Sequence, residues 1–211
     1  MYRPTAFMVE DHRVGLQVIG QFPLAQLVII DETGAPMATP VPLLADRDGT
    51  RLVGHLARNN PVATSTSPRD ALVIFSGANA YVSPSYYPSK HDNPSVVPTW
   101  NYSTVQVRGV LVVHDDPTWT EWVVRLLTAE FESESTNPWQ VDDAPHDYIA
   151  KMVGAIVGIE IGVVDMAVKL KLSQNRSESD RLGVTLRFDE GSPEQQAVAA
   201  AMRQRINPAA W

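Results

Sequence analysis

The residues with the greatest chemical capacity in this chain fall into three short strings. In KLKLSQNR, residues 169–176, Lys169 and Lys171 are followed at once by Ser173, Gln174, Asn175 and Arg176. Alternate residues of an extended segment share a face, so the two lysines project to one side while Val168, Leu170 and Leu172 project to the other. Paired cations followed by hydroxyl, amide and guanidinium donors suit a phosphate dianion. The same string also fits an edge strand guarded by lysines, and spacing alone does not choose between the two.

RLVGHLARNNP, residues 51–61, brings His55, Arg58, Asn59 and Asn60 to the end of a strand. No serine or carboxylate partner can be assigned to His55, so a hydrogen-bonded structural histidine is the plainer reading. VVPTWNYSTVQV, residues 96–107, places Trp100 and Tyr102 on one face of an extended segment and Asn101 on the other. Rings and an amide in that arrangement suit a flat heteroaromatic ligand, and equally a corner of the core. Just before it runs a proline-rich loop whose Tyr86, Tyr87 and Lys90 are placed to line or cover a site.

Short β-rich segments position these strings. AQLVIID, PMATPVPLLAD, RLVGHLA, ALVIFSG and AYVSP are separated by turn signals, with DETG and DRDG supplying hairpin residues. STVQVRGVLVVH reads as a long strand in which Gly109 marks a bulge or a close approach, and GIEIGVVDMAVKLKL as another that delivers the lysines. Helices are expected at about 11–20, 116–132, 143–157 and 192–206. The second has Asp116 as cap, Pro117 as first residue and an apolar face of Trp119, Trp122, Val123 and Leu126. The third has Asp143 as cap, a stripe of Ile149, Met152, Val153 and Ile156, and a stop at Gly158. The last buries Val198, Ala201, Met202 and Ile206. The pattern is a single α+β domain over residues 1–211, mainly antiparallel β, with peripheral helices.

Composition excludes several classes. The chain has 211 residues, no cysteine and a formal net charge of −7. Disulfides, thiolate metal sites and cysteine nucleophiles are therefore absent. A net negative charge, acidic helices and the lack of a reading helix argue against direct DNA binding. DDxxH at Asp142, Asp143 and His146 is better read as helix-start chemistry than as a metal site. No GxSxG, GxGxxG, P-loop or HExxH motif occurs. The amino-terminal MYRPTAFMVEDHR lacks the apolar run of a signal peptide, and MVGAIVGIEIGVV is short and interrupted by Glu160, so a cytoplasmic protein with no membrane segment is expected.

Taken in order, PLAQLVIID, GHLARNNP, ALVIFSGANAYVSPSYYPSK, VPTWNY, PWQVDDAPHDYI, IVGIEI and KLSQNR resemble the PaiB-like family, FMN-binding negative transcriptional regulators. The resemblance runs from MYRP to about Leu186. It implies a flavin-binding split β-barrel acting as a homodimer, with FMN in the groove between subunits. By position, it assigns cofactor binding to Lys169, Lys171, Ser173, Gln174, Asn175 and Arg176 in the KLSQNR motif. It adds His55, Ala57, Arg58 and Asn59 in the HLARANP-like motif, and Trp100, Asn101 and Tyr102 in the PTWNY motif. Two positions depart from the family pattern: Pro40-Val41-Pro42 stands where a His-Leu-Pro run is usual, and Val168 where a glycine usually precedes the first lysine. Two functions are implied: a flavin-dependent oxidoreductase, or a regulatory protein that acts indirectly on transcription with a vestigial or redox-sensing flavin site.

Overall fold

Asp31 and Asp46 fold the first hairpins. Asp31 Oδ1 accepts the N–H groups of Thr33 and Ala35 at 2.8 and 2.9 Å, and Asp46 Oδ1 accepts that of Thr50 at 2.8 Å. Gly34 (φ 85°) and Gly49 (φ 69°) take the left-handed conformation that closes each turn. In the computed structural model, which describes the backbone of residues 1–206 and side chains to 204, these turns join strands of a mainly antiparallel fold.

The strands are β1 (Met8–Val9), β2 (Leu24–Ile30), β3 (Pro36–Pro42), β4 (Leu44–Ala45), β5 (Arg51–Ala57), β6 (Arg69–Val82), β7 (Thr99–His114) and β8 (Ile156–Lys171). The helices are α1 (His12–Gln21), α2 (Pro117–Phe131), α3 (His146–Gly154), α4 (Glu178–Asp189) and α5 (Pro193–Ile206). Among the described residues no helix is long and apolar enough to cross a membrane. No group of three or more His, Asp or Glu side chains there could hold a metal ion.

The chain forms two compact units. One comprises Met1–Gln21, Ser76–Val105 and the chain from Ala167 onward; the other comprises Phe22–Phe75 and Gln106–Met166. In the second unit the strand order is β3-β2-β6-β7-β8-β5-β4. Period-two burial along β2 hides Ala25, Leu27 and Ile29 while Leu24 and Ile30 stay exposed. Gly109 answers its expectation: a Cβ there would stand 2.4 Å from the Gly162 carbonyl oxygen.

Helix α2 begins as its sequence dictates, with Asp116 accepting the Thr118 N–H at 2.9 Å and Pro117 in the first turn. Its buried face is Thr120, Val123 and Leu127, and the last two pack against Val53 of β5. This corrects the expected stripe, because Trp122 and Leu126 are exposed and Trp119 is only partly covered. The face is set by β8, where Gly158 leaves room for the Trp119 ring and donates its N–H to Thr120 Oγ1 at 3.1 Å. Gly158 is thus a strand residue and not a helix stop, for α3 ends at Gly154. Helix α3 also starts later than expected. Asp143 lies in a 3₁₀ turn, where its carboxylate accepts the Gln140 N–H at 2.8 Å, and Pro145 precedes the first helical residue. Of the expected stripe only Val153 is buried within α3, since Ile156 already belongs to β8.

In the first unit β1 pairs antiparallel with β8, Met8 opposite Lys169 and Val9 opposite Val168. Helices α4 and α5 bury Val184, Phe188, Val198, Ala199 and Met202. Sequence reading did not anticipate α4. Ile206, expected to be buried, lies beyond the described side chains. Asp180 of α4 accepts both the Ser89 N–H at 3.1 Å and the Ser89 hydroxyl at 2.8 Å, tying the proline-rich loop to the helix.

Candidate functional site

Strand β7 sorts its side chains by parity. Trp100 (54% exposed) and Tyr102 face outward, while Asn101 points inward and is completely buried. Trp100 meets Tyr81 of β6 edge-on, ring centroids 6.1 Å apart. Beside them lies a cavity of about 440 Å³ lined by Ser76, Gly77, Asn79, Trp100, Tyr102 and Thr104. Tyr81 and the three lining residues from β6 were not singled out from sequence. The outward parity of Asn79 and Tyr81 in SGANAYV was the available signal.

Asn101 is an internal latch. Its amide nitrogen donates to Ser173 Oγ at 3.0 Å and its oxygen accepts from the same hydroxyl at 3.1 Å, with Met202 Sδ 3.5 Å from the nitrogen. Only one of the two Asn101–Ser173 bonds uses the hydroxyl proton, so the Ser173 hydroxyl donates in one and accepts in the other at once. Ser173 adopts φ +62°, an uncommon conformation for a residue with a Cβ. Gln174 braces the same turn, accepting the Leu172 N–H at 2.7 Å and donating to the Leu170 carbonyl. Asn175 is exposed. Arg176 lays its guanidinium over the Tyr87 ring, 4.6 Å from the centroid, and Tyr87 is itself buried.

The lysines lie on the side that the sequence assigned to them. Val168, Leu170 and Leu172 are buried in the interior, so the valine in place of the family's glycine does not stand on the lysine face. Lys169 is 9% exposed. Its Nζ donates to the Tyr2 carbonyl at 3.2 Å and stands 5.3 Å from the Tyr102 ring and 5.8 Å from that of Tyr2. Lys171 Nζ donates to Thr99 Oγ1 at 2.6 Å and to the Trp100 carbonyl, with the Phe7 ring 5.8 Å away. Tyr2, Phe7 and Thr99 were missed from sequence, because the pairing of β1 with β8 and the start of β7 bring them to the lysines only in the fold. Burial, and then the positive charges of Lys169 and Arg176, lower the pKa of Lys171. Among the described residues none of these three cations has a carboxylate within salt-bridge distance. An ammonium carries three donors, so Lys169 retains two and Lys171 one after the bonds named above.

His55, Ala57, Arg58 and Asn59 belong to the other unit. Arg58 secures the end of α3: Nε donates to the Gly154 carbonyl at 2.9 Å, one terminal nitrogen to that of Ile156 at 3.1 Å and the other to Asp115 at 2.6 Å. Ala57 and Asn59 are exposed. His55 shares the face of Val53, toward α2, and burial lowers its pKa. Pro42, where the family has a proline after His-Leu, lines the same small cavity as His55.

The model of the family described as "Putative FMN-binding domain" matches residues 1–165. "Protease synthase and sporulation protein PAI 2" of Bacillus subtilis is 32% identical over 183 residues, 85% of this chain and 86% of its own. "Uncharacterized protein AN0679" of Emericella nidulans is 32% identical over 183 residues, 73% of this chain and 72% of its own. Among solved structures, the "FAD and Heme binding protein from Mycobacterium smegmatis" superposes with a TM-score of 0.60 at 16% identity, covering 83% of this chain and 78% of that one. The "Flavocytochrome Anf3 from Azotobacter vinelandii" gives 0.58 at 15% identity, with 83% and 74% covered.

Proposed function

Since the chain belongs to the PaiB-like family of FMN-binding domains and has its split-barrel fold, we propose that it is a flavin-dependent oxidoreductase that binds FMN through the β6–β7–β8 face of its first unit. FMN is the cofactor of that domain. The observation that carries the reading is the group of Lys169, Lys171 and Arg176, in which Lys169 and Arg176 repel the Lys171 charge and no carboxylate lies within salt-bridge distance among the described residues. Such a group fits a phosphate dianion, and the ammonium donors left over can reach toward one. Trp100 and Tyr102 offer ring faces beside the neighbouring cavity, where a planar ring system stacks and excludes water. Bound FMN supplies one- and two-electron transfer, while the chain binds, orients and shields it.

The cofactor groove belongs to a homodimer in this reading. Exposed Leu24, Ile30 and Val164, with an apolar cavity of about 480 Å³ lined by Ile30, Leu72, Gly109 and Val164, give the second unit a face suited to another copy. Titration of FMN followed by flavin fluorescence, with sedimentation of the same sample, tests both parts. Saturable quenching by a dimer is expected. A monomer, or a protein that binds riboflavin as tightly as FMN, would sink the proposal.

A further inference from the structure

The first residues of the chain fold back across the lysines of the first unit. The pairing of β1 with β8 sets Met8 opposite Lys169. Extended, the six residue steps from Met8 back to Tyr2 would span about 20 Å. A 3₁₀ turn at Thr5–Phe7 prevents that, its Pro4 carbonyl accepting the N–H groups of Phe7 and Met8 at 2.9 and 3.0 Å. The reversal returns Tyr2 to the Lys169 ammonium, which meets the Tyr2 carbonyl and the rings of Tyr2 and Tyr102. That surround, and not a carboxylate, is what leaves Lys169 so little exposed. Phe7 stands beside Lys171 in the same way.

Little else holds the segment. Met1 and Tyr2 are 43% and 82% exposed, and no residue of the 3₁₀ turn is buried. What ties Tyr2 to Lys169 is one hydrogen bond to a neutral carbonyl and one contact with an exposed ring, each worth a preference of about fivefold. A phosphate oxygen is the stronger partner, because a hydrogen bond with charge on both sides is shorter and about twice as strong as a neutral one. We propose, on the reading of these lysines as the FMN phosphate site, that residues 1–4 form a strap hinged at Thr5–Phe7, which the phosphate displaces from Lys169 as it binds. Lys171 is less covered and keeps a donor for the arriving anion, and Lys169 joins it when the Tyr2 carbonyl leaves. Strap and phosphate exclude each other at one ammonium, so each weakens the other's hold by the same factor. A flavin without a phosphate gives the ammonium no such partner and leaves the strap in place. The amino terminus thereby registers whether a phosphate is bound.

The test follows the backbone amide signals of Tyr2 and Arg3 by NMR in the full chain, with Val9 of β1 as the fixed reference. FMN, riboflavin and inorganic phosphate are added in turn at constant ionic strength. FMN, and phosphate at about 10 mM, should move both signals saturably to the positions of an unstructured chain, while riboflavin leaves them where they were. A variant lacking Tyr2 and Arg3 should bind FMN about three- to tenfold more tightly with riboflavin affinity unchanged. Arg3→Gln in the otherwise full chain controls for the lost charge and should not tighten FMN. FMN that binds while the two signals stay fixed, or a shortened chain that binds it no better, would overturn the strap and leave the flavin assignment standing. Release by phosphate in a protein that does not take up FMN would keep the strap and sink the flavin assignment, and no response to either anion overturns both. Should the shortened chain not fold, the titration of the intact chain decides.

Discussion

Three arginines of the second unit and the three cations at the end of β8 in the first are held in opposite ways. In the second unit Arg58 lies 2.6 Å from Asp115, Arg108 3.2 Å from Asp165, and Arg125 2.8 and 2.7 Å from Glu121 and Asp142. Each of these guanidinium groups ends on a carboxylate, and such exposed pairs hold surface elements together with modest energy. In the first unit Lys169, Lys171 and Arg176 end on carbonyls, a hydroxyl and aromatic faces instead. Neutral partners solvate a cation without cancelling it, so the unit keeps a positive potential that an incoming anion can use. The three cations of β8 and its following turn thus differ from those arginines in what they meet, which is what the proposed phosphate site requires.

The largest test of that contrast is Lys169→Met with Lys171→Met. FMN affinity should fall by about 2–5 kcal/mol, as for removal of partners from a buried anion, while riboflavin affinity hardly moves. Calorimetry with both ligands reads the difference, and an equal loss for riboflavin would make the lysines structural after all.

A smaller effect is expected where the second unit is packed. The Cβ of Gly158→Ala would stand 2.1 Å from two carbons of the Trp119 ring, which is stacked on His114 at 3.9 Å and cannot simply swing away. Overpacking of that kind costs about 1–3 kcal/mol, readable as a lowered urea midpoint, and FMN affinity should survive it. The smallest effect is the acid response of His55. Its folded pKa lies below the ordinary 6.5, so between those two values the unfolded chain binds more protons than the folded one. Stability should therefore fall as pH drops through about 6.5 and level off below the folded value, and His55→Leu should flatten that slope in urea titrations at several pH values.

Parity was the legible part of the site. Trp100, Asn101 and Tyr102 divide as the two-residue period requires, and Lys169 and Lys171 face away from Val168, Leu170 and Leu172. What alternation cannot tell is what stands opposite: Asn101 meets a serine 72 positions away, and Lys169 meets a carbonyl 167 positions away. Helix α4 was invisible because ESDRLGVTLRFD has a glycine at its middle, two β-branched residues and a buried aspartate in its first turn, so neither propensity nor stripe announces it. Helix α2 was found but rotated, since two tryptophans attract an assignment to the core that the small Thr120 in fact holds. The family motifs put His55 and the lysines into one set, while their division into different units came only with the fold.

The brief ladder that Met8 and Val9 make with Val168 and Lys169 has a practical corollary. A protease nick near Glu10, or a disordered fusion that competes for that pairing, would strip the border of β8 and leave its backbone amides and carbonyls open to a foreign strand. Preparations trimmed at the amino end should therefore self-associate more readily than intact material, through a surface that the whole chain keeps sealed with its own first residues.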